Sequence, residues 1–401
     1  MAIIVGSGKR LTTDDGIPYM WQSGDVTTLP SNEIKIMSSD GGAYDYFGDA
    51  IAVGSGKVVA GSWSIDIGSN NFQGAVYIYD LDGTNEVKIT ASDGAASDQF
   101  GSGVGAGCGK IVVGARGDNS DQGSAYIYNL DGTNEVKITA SDGAIDDYFG
   151  YSVAVGCGKI VVGAFGDNLS SGSAYIYDLD GTNEVKITAS NGSMNDYFGW
   201  SVAIGDGRIV VGAYGDDNSN GTDAGSAYIY DLNGNEVGIM TASDGVNVDE
   251  FGKAVAVGSG RIVVGATQKQ AAYIHDLNGN QVGIISASDS SLNDYFGNSV
   301  AVRSSKIVVG AAYADLPGPN NEQGSVYIYD LDGNNEVKIT ASDGAAGDYF
   351  GNSVAIGEGK IVVGAHQDGH GGATLVGSAY IWEIDETLSD YYDDIVDNYR
   401  Y

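Results

Sequence analysis

Residues Phe149–Gly192 read FGYSVAVGCGKIVVGAFGDNLSSGSAYIYDLDGTNEVKITASNG. Four strand-like runs stand out, separated by Gly, Asp and Asn clusters that favour turns. They are Ser152–Val155, Lys159–Ala164, Ser173–Leu179 and Glu184–Ala189, denoted A to D. Runs A and B are nearly continuous small and β-branched residues, the pattern of strands covered on both faces. Run D alternates, with Val185, Ile187 and Ala189 on one face and Lys186 and Thr188 on the other. A half-polar strand belongs at an outer edge, where a lysine discourages pairing with another molecule. Strand A is therefore expected innermost and strand D outermost.

The same sentence of residues recurs with Phe-Gly at Phe47, Phe100, Phe149, Phe198, Phe251, Phe296 and Phe350. Such a period, about 50 residues, belongs to architectures in which each unit is one supersecondary element. Seven four-stranded antiparallel units predict an all-β, seven-bladed β-propeller. The seventh copy has A (Ser353–Ile356), B (Lys360–Ala365) and C (Ser378–Ile384) but no D after it. The absent strand lies near the other end, where NEIKIMSSDG at Asn32–Gly41 matches NEVKITASDG at Asn85–Gly94. The segment 32–41 is thus expected to complete the last blade and close the ring. The chain divides into an extension (1–31), the ring (32–385) and an acidic, tyrosine-rich tail (386–401).

The motifs FG…VVGA…GSAYIY resemble FG-GAP repeats, the family that includes the integrin α-subunit head and several secreted or viral seven-bladed propellers. The resemblance covers roughly Asn32 to Asp385. Integrin-type repeats often carry a long Asp-rich calcium loop between strands A and B. Here that connection is a tight turn such as Gly205-Asp206-Gly207-Arg208, so the family's calcium site does not carry over to it.

Acidic residues number 53 against 19 basic ones, for a net charge of −34. Such a chain repels nucleic acid and anionic membranes, so neither is an expected partner. No apolar run of membrane-spanning length occurs, and MAIIVGSGKRL lacks the pattern of a signal peptide. A basic residue follows each A–B turn, from Lys57 to Lys360, whereas the D–A loops carry carboxylate pairs five residues apart. The face bearing the B–C and D–A loops is therefore expected to be the more negative. Cys108 and Cys157 occupy the same turn in neighbouring blades, too far apart for a disulfide.

Catalysis looks poorly supplied, and the expectation is a protein that is not an enzyme. His275 replaces a strand-C tyrosine and reads as a packed side chain. His366, Asp368 and His370 share the Gly-rich loop HQDGHGG and read as surface residues. The pairs Asp93/Asp98, Asp142/Asp147 and Asp343/Asp348 either bind calcium, the one cofactor the sequence suggests, or cap the turn into strand A. The DLDGTNE segments read as hairpin turns. The tripeptide Arg116-Gly117-Asp118 reads as coincidence, since Gly-Asp recurs there in other blades.

Contrast between copies is the functional signal. The residue after strand B varies (Trp63, Arg116, Phe165, Tyr214, Thr267, Tyr313, His366), as does the one after Phe-Gly (Asp49, Ser102, Tyr151, Trp200, Lys253, Asn298, Asn352). Both sets should emerge near the channel mouth, with Trp63, Arg116, Tyr151, Phe165, Trp200, Tyr214, Tyr313 and His366 as candidate ligand contacts. A constant scaffold that presents one variable, aromatic-rich surface is how rigid folds carry recognition, of sugars in particular. Tyr19, Trp21, Tyr391, Tyr392 and Tyr399, outside the ring, are candidate docking residues. Since similar propellers occur among phage structural proteins, the resemblance implies a virion appendage or decoration protein. Its expected partners are other virion proteins and a host glycan or surface protein; the alternative is an exported bacterial lectin or adhesin.

Overall fold

The computed structural model describes residues 31–291, 293–315, 322–369 and 375–384. They form seven four-stranded sheets, each hydrogen-bonded in the order A-B-C-D. Each strand A touches strand A of both neighbouring blades, and the seventh touches the first, so the sheets close into a ring with the A strands at its axis. In blade 3 the strands run Ser152–Gly156, Lys159–Ala164, Ser173–Asp178 and Val185–Ile187. The A–B connection turns on Cys157 and Gly158, at φ 48° and 74°, the two positive values of a tight hairpin.

Strands B and C are almost wholly buried, as their continuous apolar runs imply. Strand A departs from expectation: all five residues of Ser152–Gly156 are only half-buried, because the inner strand faces the channel. Strand D is a three-residue stub with Val185 exposed and Ile187 buried. Its lysine does not guard a free edge. Lys186 Nζ lies 2.6 Å from Asp142 and 2.5 Å from Asp167, tying strand D to the loop that enters its own blade and to the B–C loop.

The core lies between blades rather than within them. Phe149 is fully buried among Val112, Ala125 and Ile127 of blade 2 and Ile160, Val162 and Tyr175 of blade 3. Its ring meets Tyr175 edge-on at 5.3 Å, a geometry worth about 1 kcal/mol beyond area burial. Each of the other six Phe-Gly phenylalanines is likewise fully buried in a cluster shared by two blades.

Beside each phenylalanine, two glycines let backbones touch. A Cβ on Gly163 of strand B would come under 3.0 Å from the carbonyl oxygen of Gly199 in the next blade. The same clash recurs around the ring, from Gly61 against Gly101 to Gly364 against Gly48. Gly199 itself sits at φ +91°, where an L side chain is strained.

Closure follows the expected path. Strand Ser31–Ile36 pairs antiparallel with Ser378–Glu383, placing Lys35 opposite Tyr380, as Lys186 stands opposite Tyr175. The closing strand also reproduces the polar contacts of the other D strands. Lys35 Nζ lies 2.7 Å from Asp343 and 2.5 Å from Asp368, and Glu33 accepts the Ser342 hydroxyl at 2.5 Å, as Glu184 accepts that of Ser141 at 2.6 Å.

Three substitutions separate these contributions. Gly163→Ala should lower stability by about 1–3 kcal/mol through overpacking, and Lys35→Met by about 1–3 kcal/mol because buried Asp368 loses its cation. Lys57→Met, which removes an outer pair with Asp80, should cost less than about 1 kcal/mol. Urea-unfolding midpoints measure all three, and equal midpoints for Lys35→Met and Lys57→Met would refute the closure role.

Candidate functional site

The run Asp-x-Phe-Gly assigns a separate task to each residue. The aspartate is buried and receives a backbone N–H three residues earlier: Ala144 N–H donates to Asp147 Oδ2 at 2.6 Å, and Ala95 and Ala345 donate likewise to Asp98 and Asp348. The next residue then takes a left-handed conformation, φ 56° at Tyr148 and 57° at Tyr197, which turns its side chain toward the end of the channel. The phenylalanine anchors the core and the glycine makes the junction. The residue after glycine projects at the axis.

Within each blade the residue before Phe-Gly pairs with the residue after strand B. Tyr148 stacks on Phe165 at 5.0 Å and Tyr197 on Tyr214 at 5.0 Å. Tyr46 stacks on Trp63 at 5.6 Å, Tyr349 on His366 at 5.6 Å, and Tyr295 meets Tyr313 edge-on at 4.8 Å. Where one member is polar, so is the other: Arg116 Nε donates to Gln99 at 2.6 Å, and Thr267 Oγ1 to Glu250 at 2.7 Å. The pairs also touch across blades, Tyr46 with His366 and Tyr313 with Tyr349.

Inside this annulus opens a bowl of about 510 Å³, to which all seven residues after Phe-Gly contribute. One arc is aromatic and cationic. Tyr151 and Trp200 lie 4.5 Å apart. Arg116 covers the Tyr151 ring at 5.3 Å, and Lys253 covers Trp200 at 4.6 Å and Tyr214 at 3.6 Å. The opposite arc is polar, with Asn298 Nδ2 donating to the Asn352 carbonyl at 3.0 Å and Asn352 Nδ2 to Asp49 Oδ1 at 3.0 Å. Burial holds the Lys253 ammonium below its ordinary pKa against the opposing charge of Glu250. It likewise pushes the Tyr151 hydroxyl above its ordinary range.

Of the eight candidate contacts, Arg116, Tyr151, Trp200 and Tyr313 line the bowl. Trp63, Phe165, Tyr214 and His366 stand behind them in the stacked row. His366 corrects the reading of surface histidines: it is mostly buried among Tyr46, Tyr349 and Asp49, which lowers its pKa. Asp368, also buried, binds Lys35 and Ser378. Both Cys108 and Cys157 line a cavity of about 60 Å³ at the opposite end of the channel, and neither forms a disulfide. Tyr19, Trp21, His370, Tyr391, Tyr392 and Tyr399 lie outside the described residues.

The sequence reading missed the residue before Phe-Gly. It is tyrosine in five copies, Tyr46, Tyr148, Tyr197, Tyr295 and Tyr349, so it carries none of the variation between copies that marks the other candidates. The Arg-Gly-Asp run is not displayed as a unit, since Arg116 points to the bowl while Asp118 binds Lys137 and Ser124. His275 is buried against Phe251, its pKa lowered to about 4 by burial.

The carboxylate pairs have protein partners. Asp93 receives Lys137 and the Tyr126 hydroxyl, Asp142 receives Lys186 and Tyr175, and Asp343 receives Lys35 and Tyr380. Among the described residues no group of three or more His, Cys, Asp or Glu converges as a metal site requires. The D–A face is thus less uniformly negative than the composition implies. The basic residues after the A–B turns are also engaged, for example Lys159 with Asp178 and Lys306 with Asp330.

With this geometry the chain belongs to the FG-GAP repeat family. The family match covers residues 30–79, 84–128, 133–177, 182–230, 235–278, 280–329 and 334–382. Each match begins at a strand D and ends at the next strand C, so sequence repeat and blade are offset by one strand. A comparison with curated proteins finds no match.

Blade 4 breaks the ion-pair pattern. Ile239 stands opposite Tyr228, where Lys186 faces Tyr175 in blade 3, and Asn191 accepts the Tyr228 hydroxyl in place of an aspartate. Burial, with Asp216, Asp217 and Asp223 nearby, raises the Asp196 carboxyl to about 6. A folded pKa above the unfolded value means that the native state binds the extra proton, so stability falls as pH rises from about 4 to about 6. Asp196→Asn should therefore melt higher than the parent at pH 7, with the gain vanishing near pH 4. Calorimetric melts across that range check this, and a gain independent of pH would contradict it.

Proposed function

We propose that this FG-GAP propeller is a non-enzymatic binding protein whose ligand, a glycan, occupies the bowl. The observation that carries the reading is the annulus of paired side chains around a rigid, repetitive ring. Aromatic faces beside amide and carboxylate groups suit sugars, whose apolar ring faces stack while their hydroxyls bond. The carboxylates lining the bowl, Asp49 and Glu250, belong to different blades and are held by Asn352 and by Thr267 and Lys253. That arrangement favours recognition over acid–base chemistry.

The setting we propose is the surface of a virus particle, with the ends of the chain holding other virion proteins and the bowl meeting the host. Its support is the resemblance to phage structural propellers. Tracking the chain through a fractionated native lysate tests it: co-migration with large particles supports a virion component, and a free monomer favours an exported lectin or adhesin.

Binding itself is tested on a glycan array with the parent and Trp200→Ala. The variant should lose at least about tenfold in affinity, the scale of a well-packed aromatic contact, while its far-UV circular dichroism remains that of the folded ring. Glycan binding that is indifferent to Trp200→Ala would move the site elsewhere on the ring.

A further inference from the structure

The two cations of the bowl rest on aromatic rings rather than in close ion pairs. Lys35, Lys57, Lys137, Lys186 and Lys360 lie against carboxylates at 2.5–2.9 Å, whereas Lys110 is held by neutral Asn129 and Lys269 reaches carboxylates only at 3.5 and 3.7 Å. Arg116 has no carboxylate within ion-pair distance among the described residues. Its Nε is held by neutral Gln99, and its guanidinium is sandwiched between Trp63 at 5.4 Å and Tyr151 at 5.3 Å. Lys253 reaches a carboxylate only at 3.6 Å, from Glu250, and rests on Trp200 and Tyr214. In a chain with 53 acidic residues, the charge of this guanidinium is met by two aromatic faces and an amide rather than by a carboxylate.

The two cations also bracket one surface. Arg116 lies over Tyr151 and Lys253 over Trp200, and these two rings are in contact. The order around the arc is cation, aromatic, aromatic, cation. With Nε fixed by Gln99, the terminal amino groups of Arg116 remain as a planar fork, which matches the two oxygens of a carboxylate.

We propose that the bowl selects acidic sugars, with the carboxylate of a uronic or ulosonic acid received by Arg116, and Lys253 as the second anion contact. The sugar ring lies along Tyr151 and Trp200, and its hydroxyls face the arc of Asn298, Asn352 and Asp49. This inference rests on the reading of the bowl as a glycan site and adds the ligand's charge. The net charge of −34 slows the approach of an anion, but screening confines that repulsion to about 8 Å at physiological salt. The local cations therefore decide affinity once the ligand is seated.

The test is titration calorimetry on the full chain with tetragalacturonate and its methyl ester, in which each carboxylate is capped as a neutral ester, and with 3′-sialyllactose and its sialic acid methyl ester. Free acids should bind at least about tenfold more tightly than their neutral counterparts, the value of a charge-assisted bidentate contact. Arg116→Gln should abolish the difference, Arg116→Lys should restore part of it, and Lys253→Gln should reduce it. Equal affinity for acid and ester overturns the charge preference while leaving the glycan site standing. A sulfated galactan bound more tightly than either carboxylated ligand also overturns it. No binding of any of these sugars or of an array rejects the glycan reading together with the inference. The acid-to-ester ratio is read on the parent chain, so it holds even if a variant folds poorly.

Discussion

Seven junctions depend on the absence of a single carbon atom. At each one a strand-B glycine lies beneath the carbonyl of a Phe-Gly glycine in the next blade, with no room for a Cβ between them. That contact sets how closely the blades approach. The approach in turn seats the phenylalanine in a core made by two blades, and the phenylalanine fixes the residues on either side of it. The tyrosine before it and the variable residue after the glycine inherit their positions from a backbone that cannot shift. The same short motif therefore both closes the ring and aims the bowl.

Much of the fold was legible because the chain states it seven times. Turn residues marked the strands, the alternation of Val185 to Ala189 placed D outermost, and the orphaned strand near Asn32 announced the closure. What could not be read was which polar groups distant in sequence would meet. Lys186 looks like an edge guard in sequence and proves to be a tie, because its partners Asp142 and Asp167 lie 44 and 19 residues away. The half-exposed strand A was missed for a related reason: Val, Ala and Gly look alike whether they face a core or a narrow channel.

The site was half legible. Variation between copies drew attention to Trp63, Arg116, Phe165 and Trp200, but it could not separate the residues that line the bowl from those that brace it. The bracing row pairs side chains about 17 residues apart, Tyr148 with Phe165 and Gln99 with Arg116. The match in character, aromatic with aromatic and polar with polar, is visible in the sequence once that spacing is known. Blades 4 and 5 show the same adjustment in the ion pairs. Blade 4 replaces Lys with Ile239 and Asp with Asn191, while blade 5 supplies Lys269 from its B–C loop to Asp244.

The one-strand offset between repeat and blade has a consequence for biosynthesis. Ser31–Ile36 leaves the ribosome some 340 residues before its partner Ser378–Glu383, so among the described strands it waits longest for a neighbour. Until Ser378–Glu383 is made, Ser31–Ile36 has no strand to pair with, and the arc stays open. Glu33 and Lys35, which later fasten the ring, are charged throughout that interval, and charge on an unpaired edge opposes premature association with other chains. The residues that lock the finished molecule thus also protect the unfinished one.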